Sequence, residues 1–140
     1  MEGRGGLKQF ALKIVTPAGL RYEGPAEEVT VRTTTGDLGI MAGHISCVAP
    51  LGMGEAMIVV DGKKRDGACI GGMVSVVNGA VTLVPTTFEW SENIDAPRAE
   101  RAKQKAETIL ADKNATDTDI RLAQARLKRA LIRKSVSERR

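Results

Sequence analysis

At 140 residues and 14.9 kDa, the chain has room for one ordinary domain, or for a domain of about 90 residues with an appendage. Apolar residues at 42% and charged residues at 27% exclude a disordered polymer, and no apolar run approaches the ~20 residues that span a bilayer. Two cysteines and one histidine exclude a disulfide framework, a zinc site and the hydrolases that need a supported histidine base.

The first stretch, Met1-Glu2-Gly3-Arg4-Gly5-Gly6, lacks the apolar segment of a secretory signal, which points to the cytosol or the cytosolic face of a membrane. Residues 1–6 and 137–140 read as flexible ends. From Leu7 to Val15 the apolar residues Phe10, Leu12 and Ile14 keep period two, and Val29, Val31 and Thr33 alternate with Thr30 and Arg32; both patterns predict strands. Asp61-Gly62 after Val59-Val60 and Asn78-Gly79 between Val76-Val77 and Ala80-Val81 predict two tight hairpins, because a type I′ turn needs positive φ at both central residues. With glycine and proline punctuating the rest at short intervals, residues 1–93 read as a sandwich or barrel of eight to ten strands. One Trp, one Tyr and two Phe leave its core aliphatic.

At Ile94 the chain changes character. All 15 glycines precede it; residues 1–93 carry net charge −2 and residues 94–140 net charge +6. Asp95 predicts an N-cap, with Pro97 in the first turn where proline loses no helical hydrogen bond. Ala99, Ala102, Ala106 and Ile109 then form one apolar stripe to about Ala111. A turn over residues 112–117 follows, and Thr116 or Thr118 caps a second helix through Ile120, Ala123, Leu127, Ala130 and Leu131 that fades after Lys134. Residues 94–140 therefore read as an antiparallel helical hairpin. Its seam on the first helix is mostly alanine, and each methylene-sized group buried contributes only ~0.8 kcal/mol, so the hairpin is weakly held and can undock.

Arg126, Arg129 and Arg133 fall within an arc of about 60° on the second helix, and Arg98 and Lys105 share a face of the first. Antiparallel packing brings the two rows together around an anion, unless they form an ordinary solvated basic face; arginine forks suit phosphate oxygens and a partner's carboxylates equally well. His44, in the glycine-bordered Gly39-Ile40-Met41-Ala42-Gly43-His44, stands alone as a base or ligand and reads as a turn or interface residue. Cys47 lacks the third group that would orient a Cys-His nucleophile. Glu27 and Glu28 are adjacent on extended chain and point to opposite faces. No phosphate-binding glycine loop and no catalytic or metal constellation occurs. A basic helical module binding nucleic acid is the rival class; the acidic first part and the lack of stacking aromatics in residues 94–140 argue against it.

Gly36-Asp37-Leu38-Gly39-Ile40, then Gly43-His44, then Gly71-Gly72 ahead of a β run ending in Asn78-Gly79, then Ile94-Asp95-Ala96-Pro97-Arg98-Ala99 resemble, in this order, the epsilon subunits of bacterial rotary ATP synthases. The resemblance runs from about Leu7 to Val136. Met41-Ala42 departs from it, the family having an aliphatic or aromatic residue followed by proline there, which would loosen the loop. It implies a flattened β-sandwich of about ten strands (1–93) that meets the gamma subunit and the c-ring, followed by a movable helical hairpin (94–140). It further implies a peripheral subunit on the cytoplasmic face of the bacterial membrane that couples ring rotation to ATP synthesis, itself non-catalytic and requiring no cofactor. Asp37 and His44 belong to the region the family uses near ring and stalk. In the family the hairpin is also a brake, compact on the sandwich or extended along gamma into the alpha–beta head, where it blocks ATP hydrolysis. In some members ATP binds the compact form; the matching positions are Glu89, Ile94, Asp95, Arg98, Ala99, Arg129 and Arg133, with Arg126 nearby and Lys105 where such members carry arginine. A stalk subunit whose hairpin binds no ATP is the alternative.

Overall fold

A computed structural model describes residues 8–139. Two compact units divide after Trp90, three residues before the composition break at Ile94, because the 3-10 turn Ser91–Asn93 groups with the helices that follow.

The first unit holds ten strands: β1 (Phe10–Thr16), β2 (Gly19–Ala26), β3 (Glu28–Thr33), β4 (Gly36–Met41), β5 (Cys47–Pro50), β6 (Met53–Val60), β7 (Lys63–Ile70), β8 (Met73–Val77), β9 (Ala80–Val84) and β10 (Thr87–Trp90). They form two five-stranded sheets, ordered β2-β1-β9-β8-β5 and β10-β7-β6-β3-β4. The neighbours pair antiparallel except β1 with β9, which run parallel with Leu12 opposite Val81 and Ile14 opposite Leu83. The expected period two is realised: Phe10, Leu12 and Ile14 of β1 are buried while Ala11 and Lys13 are exposed. Both hairpins carry the expected backbone, with Asp61 and Gly62 at φ 53° and 74°, and Asn78 and Gly79 at φ 49° and 82°.

The core between the sheets is aliphatic, led by Leu12, Ile14, Ile40, Ile58 and Leu83, with Phe88 and Trp90 at one side. Gly67 is bare because a Cβ there would stand 2.5 Å from Phe88 Cζ. The last strand is tied across to the other sheet. Arg21 Nε donates to the Phe88 carbonyl at 3.2 Å and Trp90 Nε1 donates to the Arg21 carbonyl at 3.1 Å. The Arg65 guanidinium lies 3.7 Å over the Trp90 ring, a cation–π contact.

The second unit contains α1 (Ala96–Ala111) and α2 (Asp117–Ser137). Asp95 caps α1, its carboxylate accepting the Arg98 N–H at 3.0 Å. Of the two candidate caps for α2, Thr116 holds the position. It accepts from the Asp119 N–H at 3.1 Å while Asp119 accepts from the Thr116 N–H at 3.2 Å, a reciprocal capping box. Two expectations are corrected. First, α2 does not fade at Lys134 but continues to Ser137, where Val136 and Ser137 are buried; a flexible end starting at 137 is therefore wrong, while residues 1–6 and 140 lie outside those described. Second, the seam is narrower than the predicted stripes. Ala99 and Ala106 of α1, and Ala123 and Ala130 of α2, are buried, whereas Ala102 and Leu131 are exposed. Seven residues turn a helix through 700°, only about 20° short of two full turns, so each seam follows a seven-residue step, and Ala102, about 40° to 60° from its seam, and Leu131, about 80° to 100° from its own, fall outside.

Candidate functional site

The motif Ile94-Asp95-Ala96-Pro97-Arg98-Ala99 opens α1, and most of its residues have a structural task. Ile94 is buried, Asp95 caps the helix, Pro97 sits in the first turn and Ala99 enters the seam. Arg98 projects the motif's exposed positive charge. Measured from the seam, Arg98 and Lys105 lie about 100° to 120° to one side of α1, and Arg126, Arg129 and Arg133 about 60° to 120° to the same rotational side of α2. Antiparallel right-handed helices present flanks of equal rotational sense on one common side, so all five cations collect on one face of the hairpin. Arg98, Lys105 and Arg126 are exposed and Arg129 and Arg133 half-buried. Such a face can hold a polyanion, the arginines by bidentate forks and Lys105 as a point charge. Glu89 stands half-buried on β10, in the first unit.

The other flank carries an ion-pair network that the sequence gives no reason to single out. Lys134 Nζ lies 2.7 Å from Glu100 Oε1, while Glu100 Oε2 accepts from Gln104 Nε2 at 3.1 Å and lies 3.9 Å from Lys103 Nζ. The hydrogen bond from Lys134 holds the Glu100 carboxyl below the usual carboxylate range, and the same bond raises the Lys134 ammonium. Finding this pair needs the register of two helices, which no spacing in the sequence supplies.

In the first unit, Asp37 and His44 do not form one cluster. Asp37 stands at the Gly36 end of β4 and His44 beyond its Met41 end, with about 13 Å of extended chain from Asp37 to Met41. Asp37 is paired with Arg32 across the β3–β4 hairpin at 2.8 Å. Opposite charges five residues apart and bracketing Thr33-Thr34-Thr35-Gly36 were a signal for this pair. His44 closes a turn, its N–H donating to the Met41 carbonyl at 3.1 Å, with Gly43 at φ 86°. His44 Nδ1 bonds the Ile45 carbonyl at 2.8 Å; since a carbonyl only accepts, Nδ1 carries the proton. The Asn78 N–H donates to Ser46 Oγ at 3.2 Å, and Ala42 packs against the core, so the loop is held without the proline. Ile45, at 78% exposure, forms its apolar tip beside exposed Met41.

A second apolar feature crosses the whole first sheet. On its outward face Leu20 pairs with Val15, Val84 with Met73, and Met73 with Pro50; Val15 and Val84 follow one step beyond the registered pair Ile14 and Leu83. The resulting five-residue row includes exposed Leu20, Val84 and Met73. Exposed contiguous apolar surface marks protein contact. Neither cysteine reads as a nucleophile: burial pushes the Cys69 thiol up to about 12, and Cys47 is part of β5, opposite Val76.

Residues 9–91 match the description "ATP synthase, Delta/Epsilon chain, beta-sandwich domain" and residues 92–138 match "ATP synthase, Delta/Epsilon chain, long alpha-helix domain". The chain belongs to the ATP synthase epsilon family. Similar epsilon chains include that of Bacillus velezensis, 42% identical over 94% of this chain and 98% of that one. Another is that of Caldanaerobacter subterraneus subsp. tengcongensis, 38% identical over 94% and 96%. A chain of the Euglena gracilis mitochondrial ATP synthase, solved with its OSCP, F1 and c-ring, shares the fold with TM-score 0.80 at 22% identity, over 96% of this chain and 86% of that one. A chain from the central stalk and c-ring of the Tetrahymena thermophila enzyme does so with TM-score 0.63 at 15% identity, over 93% and 97%. The epsilon-family assignment accounts for the ten-strand sandwich and the helical hairpin in one chain. No helix among the described residues is long and apolar enough to cross a membrane.

Proposed function

We propose that this epsilon-family chain serves in the central stalk of a proton-driven ATP synthase on the cytoplasmic face of the bacterial membrane. In this reading its sandwich couples c-ring rotation to the head and its hairpin restrains ATP hydrolysis. The outward apolar row of the first sheet supports contact with the gamma subunit. The Met41–Ser46 loop, with the apolar tip at Ile45 and the His44 ring beside it, supports contact with the c-ring, and the Arg32–Asp37 pair offers a neutralised polar contact at the far end of β4. The subunit is peripheral and held to the membrane through these partners.

The observation that carries the regulatory part is the collection of Arg98, Lys105, Arg126, Arg129 and Arg133 on one face of a hairpin whose seam is alanine. A cationic face on a weakly packed element can grip acidic surface in the alpha–beta head or the phosphates of ATP, and the element's position then follows whichever it grips. ATP is here a regulatory ligand and not a required cofactor. Binding only the compact form would favour it by about 2.7 kcal/mol at a hundredfold excess over Kd. Lys105 keeps the charge but not the fork that arginine would supply. The test is the hydrolysis rate of the assembled enzyme with and without residues 94–140. A higher rate on removal is expected, and an unchanged rate discards the brake. Calorimetric titration of the full chain separates the two grips, since no heat at millimolar ATP removes the sensor and leaves the brake.

A further inference from the structure

We propose that Glu100 and Lys134 form a latch at the open end of the hairpin, setting how readily α1 and α2 splay apart. The two helices are joined covalently at the other end, through residues 112–116, so separation must begin where α1 starts and α2 finishes. Glu100 lies in the second turn of α1 and Lys134 in the last turn of α2, and their 2.7 Å bond bridges that opening.

The carboxylate is aimed by its own helix before it meets its partner. Gln104 Nε2 and Lys103 Nζ approach Oε2 at 3.1 and 3.9 Å, which leaves Oε1 for Lys134, and Lys103 is itself placed between Glu100 and Glu107 at 3.9 Å from each. Preorganisation of this kind reduces the side-chain entropy that usually cancels a surface ion pair. Between the helices the seam beside the latch is Ala99 and Ala130, with Ile94 and Val136 also buried toward this end of the unit, so each helix offers its partner only a methyl group there. The latch also lies on the flank away from the cationic face. An anion held by Arg98, Arg129 and Arg133 would thus clamp the hairpin from one side while Glu100 and Lys134 clamp it from the other, and the two need not compete. With side-chain exposures of 34% and 40%, the pair remains within reach of dissolved salt.

The latch itself is independent of the brake reading; only its consequence for hydrolysis rests on it. The test is amide hydrogen exchange of the full-length chain at low ionic strength, read on peptides spanning 131–137. Glu100→Gln and Lys134→Met should each speed exchange about two- to fivefold, and the double variant should be no faster than either single, since both remove one interaction. Wild-type exchange should approach the variants' at ~1 M salt, where screening acts within about 3 Å, while peptides from β1 to β10 stay unchanged and report an intact fold. Additive effects, or singles indistinguishable from wild type, overturn the latch. Glu100→Gln in the assembled enzyme then separates the two claims: faster exchange with an unchanged hydrolysis rate keeps the latch and rejects its control of hydrolysis, while the brake itself stands or falls on removal of residues 94–140.

Discussion

The two units bury different things. Between its sheets the sandwich encloses Leu12, Ile14, Ile40, Ile58 and Leu83, each at most 1% exposed, and a fully buried aliphatic side chain of that size contributes about 1.5–3 kcal/mol. The hairpin seam encloses Ala99, Ala106, Ala123 and Ala130, and small side chains leave each helix little to lose when its partner moves. The contrast reaches to the division itself. β10 is a four-residue strand that would be a weak edge by itself, yet Arg21 bonds both Phe88 and Trp90 and the Arg65 guanidinium covers the Trp90 ring, holding the strand up to its last residue. A firm body thus ends at Trp90, and a lightly packed one, carrying the cations, follows at once. A firm body and a loosely packed one are both available within one chain from side-chain size alone.

The contrast breaks most readily from the sandwich side. Leu83→Ala should cost roughly 2–5 kcal/mol of sandwich stability by cavity formation, read as a lower urea midpoint of Trp90 fluorescence, the single tryptophan being part of that core. On the hairpin, the comparable loss comes from a cap and not from the core. Thr116→Ala should remove about 0.5–2 kcal/mol by opening the capping box, read as a lower midpoint of the helical circular-dichroism signal on heating. If the units differ as their packing indicates, Thr116→Ala should leave the Trp90 transition in place. A Trp90 midpoint shifted as far as the helical one would show a single cooperative body and erase the contrast.

Much of this architecture was legible in the sequence because it rests on local chemistry. Period two at Phe10, Leu12 and Ile14, positive φ at Asp61-Gly62 and Asn78-Gly79, and the carboxylate of Asp95 ahead of Pro97 each act within a few residues, so pattern and structure agree. What depends on register between distant segments was not legible. The parallel pairing of β1 with β9 joins segments about 70 residues apart, the tie of Trp90 to Arg21 crosses between sheets, and Leu131 looked like core until the seven-residue step from Ala123 to Ala130 fixed the seam. The candidate site divides in the same way. The five cations could be placed on helix faces by counting, and helical handedness alone brings the two rows together. Asp37 and His44 looked near each other because they stand seven positions apart in the chain, but an extended β4 sets them at opposite ends. Glu100 and Lys134 meet only through the hairpin register.

The finest distinction between the units is electrostatic, and pH can isolate it. Folding lowers the Glu100 pKa below its ordinary value of 4.5 and raises that of Lys134 above 10.5. A lowered carboxyl contributes stability above its unfolded pKa and loses it as pH falls through the folded one; a raised ammonium contributes below its unfolded pKa and loses it as pH rises through the folded one. The pair therefore supports the hairpin from about pH 4.5 to about pH 10.5 and weakens outside that window. The informative quantity is the difference in hairpin helicity between wild type and Glu100→Gln. That difference should be small and flat through neutral pH, shrink toward zero at both extremes, and shrink at every pH as salt is added, because both side chains are partly exposed to solvent. A difference that persisted unchanged in acid would mean that residue 100 acts through its shape or its bond to Gln104 and not through its charge.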